Sequence, residues 1–170
     1  MFDHIEKQVA LHAPIERIWH AITDVEEFSQ WFGVKLNEPF APGQAVTGTF
    51  EGEFDEETMR QYQVSLGLDP TGVRQPPRNA VFCTVERMEE PRSFGFRWIP
   101  YGIDIDCDLA QESPTLVEFR LEPVAEGTQL TITESGFEGI PAHRRKRAFM
   151  MNDGGWTAQI ENVRRHVERA

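Results

Sequence analysis

Arg97 stands between Phe96 and Trp98 in a run of alternating residues. A guanidinium there either pairs outward with an acidic neighbour or turns inward and binds a ligand carboxylate through parallel N–H donors. Alternation leaves both readings open, because it does not say which face is concave. Glu118 and Glu134, on later strand-like runs, are the carboxylates that would serve as acid or base for a substrate held beside them. Other chemistries fail on spacing. His4, His12, His20, His143 and His166 form neither a His-x-x-x-His pair nor a His-Glu-x-x-His set, and Cys83 and Cys107 lie 24 positions apart, so no metal site is expected. Asp104-x-Asp106-x-Asp108 opens like a calcium loop, but Leu109 stands where glycine is needed and Thr115 where a bidentate glutamate is needed. It reads as a solvated edge or loop. No Gly-x-Ser-x-Gly elbow is present; Ser135 reads as a strand end and Cys83 as a buried, inert thiol. His143 reads as a surface histidine near the last loop. No catalytic set emerges, and no cofactor is expected.

The elements that must position these residues follow from periodicity and punctuation. Ile5 to Leu11 alternate and predict a first strand. Pro14 suits a first helical turn, and Ile15, Ile18, Trp19 and Ile22 share one helical face. Thr23 or Asp24 caps a second short helix with an aromatic edge of Phe28, Trp31 and Phe32, ended by Gly33. Val46 to Phe54 keep a period of two, with Gly48 and Gly52 permitting sharp curvature.

Residues 55–79 form a polar insertion with Pro70, Gly72, Pro76 and Pro77, and a brief helix through Met59, Tyr62 and Leu66. It reads as a mobile surface segment or, more sharply, as a flap over a pocket mouth. Residues 80–88 and 94–99 predict a hairpin. Residues 115–123 and 128–134 predict a second, turning at Ala125-Glu126-Gly127, while 103–109 is at best a doubtful seventh strand. After Pro141 a basic helical piece carries Arg144-Arg145-Lys146-Arg147, a solvated face or a dock for an acidic partner. A separate helix is expected from Asn152 or Gly154 to Arg169, its stripe formed by Trp156, Ile160, Val163 and Val167.

These elements predict one α+β domain over residues 1–170, with six or seven antiparallel strands and a long terminal helix on their apolar face. A sheet strongly bent around that helix cannot touch it everywhere, so a cavity is expected between them. The net charge of −11 argues against nucleic acid. No run is long enough for membrane insertion, and the first residues lack the pattern of a secretion signal. With two cysteines and no signal, a reduced cytoplasmic setting is expected.

The order of several short segments resembles a known superfamily. They are Ala13 to Trp19 with Ala21-Ile22-Thr23-Asp24, Trp31-Phe32-Gly33, Pro42-Gly43, Thr115-Leu116-Val117, Gly127 to Thr133 with Ser135-Gly136-Phe137, and Gly154-Gly155-Trp156. The chain is similar to the START-like proteins (also called SRPBCC, Bet v-like or polyketide cyclase-like). Within them it looks like the homologues of the activator of heat-shock-protein-90 ATPase. The resemblance implies a helix-grip fold: a curved antiparallel sheet, two short helices after the first strand, and a hydrophobic cavity against the terminal helix. Such a fold does not fix a reaction.

Trp31, Phe32, Arg97, Trp98, Phe137, Met151, Trp156 and Ile160 are the candidate ligand-binding residues. For any one of the aromatics, core packing is the simpler reading; as a group they suit a flat or apolar ligand. Three roles compete: a hydrophobic small-molecule binder without chemistry, a cyclase- or hydrolase-type enzyme, and a partner-binding regulator of a chaperone ATPase. The first is favoured. A second copy of the chain, forming a homodimer, and a chaperone are the protein partners the resemblance brings in.

Overall fold

Alternation decides which face of the sheet is buried. In the last strand Thr128, Leu130, Ile132 and Glu134 are buried, while the residues between them are not. The computed structural model describes residues 3–169. Its elements run β1 (His4–Leu11), α1 (Ile15–Thr23), α2 (Val25–Phe32), β2 (Val34–Leu36), β3 (Ala45–Phe50), α3 (Glu56–Ser65), β4 (Ala80–Glu89), β5 (Ser93–Trp98), β6 (Thr115–Val124), β7 (Gly127–Ser135), a 3-10 turn (Phe137–Gly139) and α4 (Ala142–Glu168). The seven strands form one antiparallel sheet in the order β1-β7-β6-β5-β4-β3-β2. The first strand therefore lies beside the last, and α1 and α2 carry the chain to the opposite edge. Helix α4 packs on β1 and against α1 and α2. This is the expected helix-grip arrangement.

Local chemistry explains the early elements. Pro14 precedes α1 with extended backbone, and the carboxylate of Asp24 accepts from the Glu27 N–H at 3.0 Å, capping α2. Gly33, at φ 88°, closes α2 in a left-handed conformation that glycine adopts without strain. Phe28, Phe94, Phe96 and Phe119, all fully buried, form the centre of the core with tilted and edge-on ring contacts. The register shifts once between β3 and β4 and once between β4 and β5. At the first shift the successive residues Phe82 and Cys83 are both buried. Such bulges bend and twist a sheet, which curves this one around the helices.

Three expectations are corrected. Residues 103–109 form turns with a single bridge from Val73 to Asp104; the seventh strand is instead β2, three residues too short to show a period. The strand expected to reach Phe54 stops at Phe50, where the chain bends towards Gly52 at φ 73°. The brief helix expected in the insertion is α3, capped by Asp55, which accepts from the Thr58 N–H. Finally, the basic piece and the terminal helix are one continuous helix, with Gly154-Gly155 in its interior. A mid-helix glycine costs only about 1 kcal/mol against alanine, which tertiary contact readily overrides. A side chain at Gly154 would meet the Tyr62 hydroxyl at 2.0 Å, so this glycine leaves room for the tip of the Tyr62 side chain reaching across from α3.

Candidate ligand cavity

A cavity of about 830 Å³ lies between the bent sheet, α4 and the insertion, within the range of small-molecule sites. Phe82 and Trp98 come from the sheet, Met151 and Trp156 from α4, and Met59 and Pro76 from the insertion. The insertion is therefore a roof, the sharper of the two sequence readings. The opening has a simple origin. The β4–β5 ladder ends at Thr84 opposite Arg97, although β4 reaches back to Ala80 and β5 on to Trp98. The strands part there, and Val81, Thr84, Arg97 and Ile99 line the split.

Five of the eight candidate residues line this space: Phe32, Arg97, Trp98, Met151 and Trp156. The other three pack elsewhere. The Trp31 indole donates to the Ala21 carbonyl at 2.9 Å and packs on Phe28 and Phe119. Phe137 is fully buried against Phe149, and Ile160 packs on the core one turn beyond Trp156. Arg97 takes the outward reading: its Nε donates to Glu86 at 2.9 Å on the exposed face, at the border of the split. Cys83 also lines the cavity, and burial pushes its thiol up to about 12, so it stays protonated at neutral pH. His143 is exposed and apart from the lining.

Neither candidate carboxylate reaches the lining. Glu118 faces Arg87 at 2.5 Å and Arg120 at 3.5 Å. Glu134 lies fully buried behind the cavity wall. Its Oε2 accepts from Trp98 Nε1 at 2.8 Å and Thr115 Oγ1 at 2.6 Å, and its Oε1 from Trp156 Nε1 at 2.8 Å. Asn152 Nδ2 reaches both oxygens, at 3.0 and 3.1 Å. Burial raises its pKa above the ordinary carboxylate value, while the donors from Thr115, Trp98, Trp156 and Asn152 pull the other way. Three of the four donors are themselves cavity residues. Glu134 thus fixes the orientation of the wall without touching what lies inside it. Sequence spacing hid this role, since the indole donors Trp98 and Trp156 belong to segments distant from Glu134.

The roof is held by charge. Arg144 is fully buried; its Nε donates to Glu112 at 2.7 and 2.9 Å, and Nη2 to the Pro100 carbonyl at 2.7 Å. Nη1 donates to the Tyr101 carbonyl at 3.3 Å and lies 3.5 Å from Asp104. Arg147 pairs with Asp104 at 3.3 Å and donates to the Asp69 carbonyl at 3.2 Å. The Thr71 hydroxyl also donates to Asp104, at 3.1 Å, and the buried Gln63 amide bonds both Thr71 and Tyr101. Two expectations hold only in part. In the basic run Arg144 and Arg147 turn inward while Lys146 is exposed, and in the Asp104 repeat Asp104 is fully buried among cations while Asp106 and Asp108 are exposed. Tyr101, a lining residue, sits at φ 46° within this clasp. That left-handed backbone is strained for a tyrosine and persists because the surrounding bonds fix it.

A second polar cluster ties the helices together away from the cavity. Glu27 accepts from Arg17 and His166 at 2.7 Å each, and from His20. Its desolvation is outweighed by these bonds from His166, Arg17 and His20, which lower its pKa to about 2. Ligand atoms of His20, Asp24 and Glu27 lie within 4.8 Å of one another, but Glu27 is already satisfied by hydrogen bonds from Arg17, His20 and His166.

The architecture has known counterparts. Residues 12–168 match the family described as Activator of Hsp90 ATPase homolog 1-like protein. The chain belongs to that family. No curated protein matches it significantly. Among solved structures of similar fold, MLL2253 from Mesorhizobium loti is 18% identical, with 98% of each chain covered and a TM-score of 0.67. BH1534 of Bacillus halodurans is 23% identical over 97% of this chain and 96% of its own, at a TM-score of 0.60. DynU16, a protein of the dynemicin biosynthetic locus, is 21% identical over 98% of this chain at a TM-score of 0.63, and the match spans 48% of its own length. The activator-homologue family thus shares the SRPBCC-type helix-grip fold found here. No helix among the described residues is long and apolar enough to cross a membrane.

Proposed function

We propose that this activator-homologue protein binds a hydrophobic small molecule, lipid-like or aromatic, in the space between sheet, α4 and roof. The carrying observation is the cavity of about 830 Å³ walled mainly by aromatic and aliphatic side chains. Such walls gain roughly 25 cal/mol for each Å² of apolar surface withdrawn from water, for ligand and protein alike. The acid–base alternative draws less support, since Glu118 and Glu134 lie off the lining and Cys83 is held as a thiol. The chaperone-partner alternative draws on the family description, but the basic run that favoured a docking face is half consumed by the internal clasp.

Native mass spectrometry of gently purified protein, followed by thermal shift against a panel of hydrophobic compounds, tests the proposal. Co-purified ligand or saturable stabilisation is expected. A protein that carries nothing and gains no stability from any panel member would overturn it.

A further inference from the structure

The cavity carries charge of one sign. Arg74 and Arg97 line it, and among the described residues no Asp or Glu does. The chain as a whole has 28 acidic against 17 basic residues, so the lining reverses the balance of the molecule. The two arginines differ in how they are held. Arg97 has an exposed acidic partner, Glu86, at 2.9 Å, and exposed pairs of this kind are weak enough for a ligand anion to displace. Arg74 donates one Nη2 bond, to the Ile105 carbonyl at 2.8 Å, and among the described residues no carboxylate pairs with it. Its position follows from the clasp: the Arg74 N–H donates to the Ile103 carbonyl at 2.7 Å, fixing the roof segment from which the side chain extends. A guanidinium half-buried beside apolar walls, with donors to spare, is best completed by an anion that accepts two of them in parallel.

We propose that the ligand is an amphiphile with an anionic head of carboxylate type. Its apolar body packs against Trp98, Trp156 and Phe82, and its head is held at Arg74, with Arg97 adding to the local positive potential. This rests on the binding reading above and names the class of compound it admits.

The test uses the whole chain and ligands that share a body and differ in the head. Dodecanoate, dodecanol and dodecyltrimethylammonium are titrated below their aggregation limits by calorimetry. A flat-bodied pair, 2-naphthylacetate and 2-naphthylethanol, is titrated alongside. The acids are expected to bind about tenfold more tightly than the alcohols, with the cation weakest. Arg74→Gln should bring acid and alcohol to within about threefold; Arg74→Lys should keep part of the preference. Thermal melts of both variants confirm folding, and Arg97→Gln supplies a second variant with a smaller expected loss. Alcohols binding as well as acids, or an acid preference intact in both glutamine variants, would overturn the head assignment and leave the cavity reading standing. Absence of binding by every compound up to its own solubility or aggregation limit would overturn both.

Discussion

Trp156 Nε1 donates to Glu134 Oε1 at 2.8 Å, and this bond fastens the middle of α4 to β7. Trp98 reaches the other oxygen of the same carboxylate. The two indoles lie 5.6 Å apart, tilted by 32°, so one buried acid sets the wall that a ligand would meet. Glu134→Gln replaces an acceptor oxygen with an amide that opposes the remaining donors. A loss of about 3 kcal/mol in urea unfolding is expected, with a change in tryptophan emission of the folded protein. An unchanged midpoint would show that the four donors find other partners.

Stability should fall in acid through Glu27. Its pKa is lowered from an ordinary 4.5 to about 2 in the folded chain, so the folded state keeps it ionised longer than the unfolded state does. The stabilisation is complete above 4.5 and is lost as pH falls from there towards about 2. Urea midpoints measured across that window should decline, and Glu27→Gln should flatten the decline while lowering stability at neutral pH. A variant with the parent slope would remove Glu27 from the acid response.

Gly155 lines the cavity, and a Cβ there would meet no atom within 4 Å. Gly155→Leu should keep or raise stability, since replacing a mid-helix glycine gains up to about 1 kcal/mol. The same change should weaken ligand binding by occupying the space. Thermal melts and titration of any bound compound check the two halves separately.

Gly154 should behave oppositely. Gly154→Ala brings a methyl group against Tyr62 and should loosen α3, read as faster proteolysis within residues 55–79. Tyr62→Phe removes the hydroxyl that lies at 2.0 Å and leaves the next contact at 3.1 Å. The double variant should therefore recover much of the loss, with a coupling visible in the double-mutant cycle.

Arg144→Met leaves Glu112 without its buried cation and Asp104 with Arg147 alone. A cost of about 3–5 kcal/mol is expected, and the roof should be cut by protease before the sheet unfolds. Equal protection of roof and sheet would show that the clasp is not what holds the insertion.

Much of the fold was legible in the sequence because its signals are local. The strict alternation of β7, the Asp24 cap and the Gly33 stop each act within a few residues. What escaped is non-local. Gly154-Gly155 reads as punctuation unless Tyr62 and the cavity are known to lie beside it. Arg144 reads as a surface cation because its partners, Glu112 and Asp104, come from a segment with no periodicity. Trp31 and Phe32 are neighbours of similar chemistry, yet helix rotation sends one into the core and the other to the cavity. Composition cannot make that division; only the packing of α2 does.

Helix α4 is secured near its start by Arg144 to Glu112, at its middle by Trp156 to Glu134, and at its end by Glu168, which accepts from the His12 N–H at 3.0 Å. A beam pinned at three points has little freedom to swing. Accommodation of guests of different girth then falls to α3 and its flanking loops. Deuterium uptake is expected to be slow along α4 and fast across residues 56–65, and it is the latter whose uptake a tightly held guest should slow.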